Sequence, residues 1–228
     1  MPIIKKYHSQ IISVTKHFDG ITSLEIRPIS GSYSFQPGQF LHLTMDSDYD
    51  GSSQWPISRC FSIQSNPYEK NIRITYSVKG EFTKNMFQFL TVGALIWLKL
   101  PYGNLFAQEH NKKNTIFIAG GTGVTPFLSL FTHNSFEEYI DPRVYLGFKT
   151  KNHNIYTTEL NKIRNSNAKV NIVYQDSGNI LNISKILREN GRNSCYFISG
   201  PPTMIKTFRN VLLEGDVSAH QILSDDWE

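Results

Sequence analysis

The N-terminal half of the chain alternates apolar and polar residues in short runs, whereas the C-terminal half carries unbroken apolar runs separated by stretches of helical spacing. Strict alternation places side chains on opposite faces of a strand, and a continuous apolar run marks a strand covered on both faces. Strands are expected at 11–15, 21–27, 40–45, 59–64, 72–78 and 94–100. Turn signals such as Asp19-Gly20, Gln36-Pro37-Gly38, Asn66-Pro67 and Pro101-Tyr102-Gly103 separate or end them. A short helix is expected at 83–90, with Thr83 as its N-cap. Short strands between regular turns predict a six-stranded antiparallel β-barrel.

Beyond the polar segment 108–114 the pattern changes. Strands are expected at 115–119, 143–148, 170–174, 195–199 and 221–223, with helices between them at 126–132, 156–163, 183–190 and 202–213. Strands alternating with helices predict right-handed crossovers and a parallel sheet. The chain therefore divides into a β-barrel domain over 1–108 and an α/β domain over 109–228.

Composition narrows this picture. With 39% hydrophobic and 18% charged residues, a packed core is feasible and disorder is not expected. The net charge of +4 is too mild to argue for nucleic acid, but it favours a negatively charged cofactor or an acidic partner. Two distant cysteines, Cys60 and Cys195, are too few for an iron–sulfur cluster or a four-cysteine zinc site, so no metal is expected. No apolar leader or membrane-length run is present, and a cytoplasmic protein is the expectation.

Four stretches carry candidate chemistry. Arg59-Cys60-Phe61-Ser62 sets a cation, a ring and a hydroxyl on one strand, with Arg59 and Phe61 sharing a face and Ser62 turned to the other. Lys79-Gly80-Glu81-Phe82-Thr83 lies at a strand-to-helix junction, where free N–H groups are either capped or hold a phosphate. Gly120-Gly121-Thr122-Gly123-Val124-Thr125-Pro126 joins a buried strand to a helix, the position where doubly wound sheets bind ligands. Ser199-Gly200-Pro201-Pro202 repeats that arrangement after a later strand, with the Ser199 hydroxyl expected at the mouth of the same crevice. Met204 is expected in the core, and the chain ends in Asp225-Asp226-Trp227-Glu228, an exposed aromatic unless it covers something flat.

In this order the stretches, with Pro37-Gly38-Gln39-Phe40 before them, resemble the ferredoxin–NADP reductase-like flavoprotein superfamily across nearly the whole chain. The resemblance implies that Arg59 pairs with the pyrophosphate of FAD, that Phe61 lies against the flavin ring, and that Ser62 sits near its reactive edge. It implies that Cys60 lies within the flavin motif and that Tyr76, Ser77 and Val78 line the adenine and ribityl side. Gly80, Glu81, Phe82 and Thr83 would hold the pyrophosphate, which favours FAD over the alternative FMN. Gly121, Thr122, Gly123, Thr125 and Pro126 would bind the nicotinamide nucleotide, with Ser199, Gly200 and Pro201 near its ring. Trp227 would cover the flavin, and Ser62, Ser199, Asp225 and Trp227 would form the catalytic set. Three features depart from the family: Phe61 replaces the usual Tyr, Ser199 replaces the frequent Cys, and one residue follows Trp227.

The implied activity is an FAD-dependent NAD(P)H oxidoreductase passing electrons to a separate acceptor, an acidic ferredoxin or flavodoxin or a small molecule. A monomer is expected. An NAD(P)H:flavin reductase releasing reduced flavin is one alternative, and a non-catalytic regulatory subunit another. Lys149 and Lys151 follow the second α/β strand, but Asp176 follows the third and would repel a 2′-phosphate, so NADH is favoured over NADPH.

Overall fold

The computed structural model describes residues 3–165 and 167–225. It divides into two compact units between Asn104 and Leu105. The polar segment 108–114 belongs to the second unit, where His110 is held between the Gln108 carbonyl (2.6 Å) and the Tyr139 hydroxyl (2.7 Å).

The first unit has strands β1 (Lys5–Lys16), β2 (Ile21–Pro28), β3 (Phe40–Thr44), β4 (Arg59–Ser62), β5 (Ile72–Ser77) and β6 (Leu95–Tyr102), with helix α1 (Glu81–Phe89) between β5 and β6. They form one antiparallel sheet in the order β4-β3-β6-β1-β2-β5, curled into a nearly closed barrel as expected. β1 begins earlier than its β-branched segment predicts, because Lys5 to Gln10 pair with Leu100 to Leu95 of β6. Ladder hydrogen bonds here override a polar sequence that has little strand preference of its own. The inward faces bury Ile11, Leu24, Leu41, Ile74, Leu98 and their neighbours.

α1 starts at Glu81 with Gly80 as its N-cap, not at Thr83. The Thr83 hydroxyl reaches back to accept from the amides of Lys79 (2.9 Å) and Gly80 (3.1 Å) and donates to the Gly80 carbonyl (3.0 Å). A threonine three residues into a helix can bond the N-cap backbone in this way, and that reciprocal role reads in sequence much like a cap.

The second unit has β7 (Thr115–Gly120), α2 (Thr125–Phe131), β8 (Arg143–Phe148), α3 (Thr157–Leu160), β9 (Lys169–Tyr174), α4 (Ile183–Asn190), β10 (Cys195–Ser199), α5 (Pro202–Glu214) and β11 (Ile222–Ser224). Its parallel sheet has the order β11-β10-β7-β8-β9. The chain builds outward from β7 to β9, then returns to the other side of β7 for β10 and β11. The strand order therefore reverses between β7 and β10, and the C-terminal ends of strands at such a reversal are where doubly wound sheets bind ligands.

α3 is a single turn, shorter than the expected 156–163. The Arg164 amide donates to the Phe131 carbonyl (2.8 Å), and the Asn165 side chain donates to the carbonyls of Phe136 (3.0 Å) and Tyr139 (2.6 Å). These bonds draw the Asn-rich segment off the helix, as side chains that compete for backbone groups do.

One face of the sheet is packed with aromatic rings around Phe117, which is 0% exposed. Its ring stacks on Phe197 (5.3 Å, 11°) and meets Phe127, Phe131, Phe136 and Tyr139 edge-on at 5.3–5.7 Å. Phe117→Ala is expected to destabilise the second unit by about 3–5 kcal/mol, the usual cost of removing a buried ring. A denaturant melt checks this, and a loss below about 1 kcal/mol would remove Phe117 from the centre of that core.

Candidate functional site

In the first unit the Arg59 motif splits its side chains between two faces of β4. β4 pairs with β3 so that Phe61 lies opposite Leu41 and Arg59 opposite Leu43. Phe61 turns into the barrel, is 8% exposed, and lies 5.9 Å from the ring of Tyr76, which is also buried. A ring so covered offers an edge more readily than a full face. Arg59, at the strand end, is exposed; its guanidinium lies 5.4 Å from the Phe82 ring and donates to the Ser58 carbonyl (2.8 Å). The strand cation and the start of α1 are thereby brought together.

Nothing lies within 4 Å of where a Cβ on Gly80 would stand, and no side chain caps the helix there. The Thr83 hydroxyl serves the amides before the helix rather than those of its first turn. Glu81 is exposed in that turn. Ser77 and Val78 are half-buried, and the Val78 amide donates to the Gly20 carbonyl (3.1 Å).

Cys60 and Ser62 take the opposite face of β4, across from His42 and Phe40. The Cys60 sulfur lies 3.5 Å from His42 Nε2 and 3.7 Å from Nδ1. Burial, with Lys99 nearby, holds the His42 imidazole below its ordinary pKa, so it is neutral at pH 7. Phe40, His42 and Tyr102 form a ring cluster beside it. Neither His42 nor Tyr102 stands out in the sequence: His42 reads only as a polar position in an alternating strand, and Tyr102 as part of the turn that ends one.

In the second unit the two glycine turns meet. A Cβ on Gly123 would stand 2.4 Å from the Gly200 Cα and 2.7 Å from the Ser199 carbonyl carbon, so the backbones are in direct contact. Met204 fills the space left by the other glycines: its Sδ would lie 2.8 Å from a Cβ on Gly120, and its Cε 2.7 Å from one on Gly200. The expected core methionine thus packs beneath both turns. Gly121 has φ +56° with nothing within 4 Å, so the far side of the turn is open. The Thr125 hydroxyl donates to the Thr122 carbonyl (2.9 Å) and pins the turn to α2, where Pro126 occupies the first turn.

Ser199 is 2% exposed, and its hydroxyl donates to Asp225 Oδ2 (3.4 Å). The hydroxyl expected at the mouth of the crevice is therefore buried, because Asp225 continues past β11 beside β10 with its amide on the Ile198 carbonyl (3.0 Å). Gly200 is half-buried and Pro201 exposed. Lys149 is exposed after β8, and its carbonyl accepts from the Asp176 amide (3.0 Å), joining the ends of β8 and β9. Trp227 lies outside the described residues. Among the described residues no cluster of His, Cys, Asp and Glu could hold a metal ion, and no helix is long and apolar enough to cross a membrane.

Residues 117–210 match the oxidoreductase NAD-binding domain family. The architecture is similar to that of a ferredoxin NADP+ reductase from Neisseria gonorrhoeae solved with bound FAD and NADP, at TM-score 0.80 and 20% identity over 97% of this chain and 98% of that one. At this identity the likeness is one of fold. A ferredoxin reductase in carbazole 1,9a-dioxygenase superposes at TM-score 0.77 and 20% identity, over 100% of this chain and 70% of that one. Among curated proteins, the reductase component of propane 2-monooxygenase from Mycolicibacterium smegmatis is 28% identical over 69% of this chain and 44% of its own length. A flavohemoprotein from Burkholderia sp. is 32% identical over 50% of this chain and 29% of its own. The chain thus spans less than half the length of these two curated relatives.

Two outcomes follow from the geometry. Gly123→Ala is expected to cost about 1–3 kcal/mol, because its Cβ meets backbone that cannot yield. Gly80→Ala, at φ −140° in open space, should stay within about 0.5 kcal/mol of the parent. Thermal melts of the two variants compare them, and equal costs would deny the backbone contact. Separately, burial pushes the Cys195 thiol up to about 12, so it stays protonated at pH 8. A thiol-reactive disulfide reagent should titrate Cys60 in the native protein and Cys195 only after unfolding; equal rates would contradict the burial.

Proposed function

We propose that the chain is a flavin-dependent NAD(P)H oxidoreductase module that passes electrons to a separate acceptor. The observation that carries this reading is one phosphate-suited cradle in each unit. In the first, α1 begins at an uncapped, open Gly80 beside the exposed Arg59. In the second, the open Gly121 turn leads into α2 at the strand-order reversal. Helix N-termini favour anions through free N–H groups and the helix dipole, and a forked guanidinium suits a pyrophosphate.

On this reading Arg59 and residues 80–83 bind the pyrophosphate of FAD, which favours FAD over FMN. Cys60 and Ser62, with Phe40, His42 and Tyr102 beside them, offer a half-buried face for the flavin; Phe61 supports it from below by its edge. Tyr76, Ser77 and Val78 contribute through backbone groups. Gly121 to Pro126, Gly200 and Pro201 bind the nicotinamide nucleotide. Ser199 and Asp225 act as a hydrogen-bonded pair that holds a proton beside that turn, and Trp227 is assigned the cover of the flavin. A bound flavin supplies two-electron exchange with the nicotinamide and one-electron exchange with an acceptor. The protein's own task is to bind and orient both partners.

The acceptor is proposed to be an acidic electron-transfer protein, in keeping with the net charge of +4 and with the reductase components among the relatives. A cytoplasmic monomer that prefers NADH completes the reading; Asp176, exposed after β9, disfavours a 2′-phosphate there.

The test is to purify the chain, supply FAD, and titrate with NADH and NADPH. A tightly held yellow chromophore bleached by the nucleotide is expected. A protein that binds no flavin would refute the reading. Flavin lost on gel filtration would favour a reductase of free flavin, and retained flavin without turnover a regulatory subunit. Arg59→Ala is expected to weaken FAD binding by about tenfold or more, since a hydrogen bond to a charged group is worth about 1.5–3 kcal/mol. Unchanged affinity would remove Arg59 from the pyrophosphate.

A further inference from the structure

The barrel sheet begins on β4 and ends on β5, and no ladder joins these two strands among the described residues. A barrel left open there would expose two edges and leave the flavin strand tethered on one side only. The seam is made instead by a backbone bond and a row of side chains just past the motif. The Gln64 amide donates to the Arg73 carbonyl (2.9 Å), and the Arg73 amide donates to the Ser65 hydroxyl oxygen (3.0 Å). The Thr75 hydroxyl donates to Gln64 Oε1 (2.6 Å). Thr75 Oγ1 lies 2.8 Å from Ser23 Oγ, which lies 2.9 Å from His17 Nε2.

The direction of this row follows from proton counting. Thr75 spends its one proton on Gln64, so it accepts from Ser23; Ser23 then accepts from His17, which must carry its proton on Nε2. Both the neutral Nε2–H tautomer and the imidazolium meet that requirement. Gln64 and Thr75 are 4% and 6% exposed, so neither has water as a ready substitute partner. On the other side of the strand the Ile63 amide donates to the Gln39 carbonyl (3.0 Å), and Gln39 Nε2 donates to the Gly103 carbonyl (2.9 Å).

We propose that Gln64 is a positioning residue for the cofactor strand: the row His17–Ser23–Thr75–Gln64 replaces the missing β4–β5 ladder and fixes Arg59–Ser62 in the orientation that receives the flavin. This rests on the flavin reading above. Gln64 itself lies beyond the motif and acts through the strand. Without its carbonyl the buried Thr75 hydroxyl has lost its acceptor, and the side-chain row that ties this end of the strand to β5 is broken.

The experiment compares Gln64→Leu and Thr75→Val with Thr75→Ser, which keeps the hydroxyl. Amide hydrogen exchange over residues 59–65 and FAD affinity by fluorescence titration are measured on each variant and the parent. In Gln64→Leu and Thr75→Val, exchange in this segment should quicken and FAD should bind about tenfold more weakly, the scale of one lost buried hydrogen bond. Thr75→Ser should stay close to the parent in both. Unchanged exchange in Gln64→Leu and Thr75→Val would overturn the seam, and faster exchange with unchanged FAD affinity would overturn the positioning role. A parent that binds no FAD while the variants exchange faster would show that the flavin reading had failed, and this proposal would fall with it.

Discussion

Gly123 and Gly200 touch backbone to backbone, and the nucleotide unit is built around that contact. The turns after β7 and β10 must both pass the point where the strand order reverses, and no Cβ fits between them. Met204 fills the space that Gly120 and Gly200 leave empty, so one side chain seats both turns. Behind them the stacked rings of Phe117 and Phe197 lock β7 to β10 and give the turns a rigid base. A site placed on the ends of buried strands inherits their precision.

The glycines of this protein divide by what surrounds them. Gly123 is required by close packing. Gly80 and Gly121 have empty space where a Cβ would stand, and Gly80 does not even need an unusual backbone angle. Packing explains the first kind. Gly31, Gly93, Gly178 and Gly191 are equally open, so it is position, ahead of α1 and at the strand-order reversal, that gives Gly80 and Gly121 the functional proposal. Gly80 opens onto the start of α1, whose first turn no side chain caps, and Gly121 begins the turn that leads into α2.

The barrel meets a different constraint. Its motif strand leaves Arg59 exposed at one end, half-buries Cys60 and buries Phe61 and Ser62 on opposite faces. The same strand lies at the end of the sheet order, where ladder bonds are available on one side only. A backbone bond from Gln64 to Arg73, with side-chain amides and hydroxyls, completes the other side. The chain spans less than half the length of the propane 2-monooxygenase reductase component and of the flavohemoprotein that it matches.

Alternation, turn residues and continuous apolar runs determined the element order, the barrel, the parallel sheet and the glycine turns from the sequence alone, because each depends on local spacing. Tertiary structure decided what local spacing cannot carry. Lys5 to Gln10 became strand through pairing with β6, and the helix expected at 156–163 shrank to one turn when Arg164 and Asn165 bonded more distant carbonyls. Thr83 looked like a cap from its place before an apolar run, but its hydroxyl reaches back to Lys79 and Gly80. Ser199 read as an open hydroxyl, but Asp225 lies beside it, and Gln64 read only as the end of a strand. Thr83, whose partners are three and four residues away, is the local exception; elsewhere the deciding partner is remote in sequence, and only folding brings a donor and its acceptor within hydrogen-bond distance.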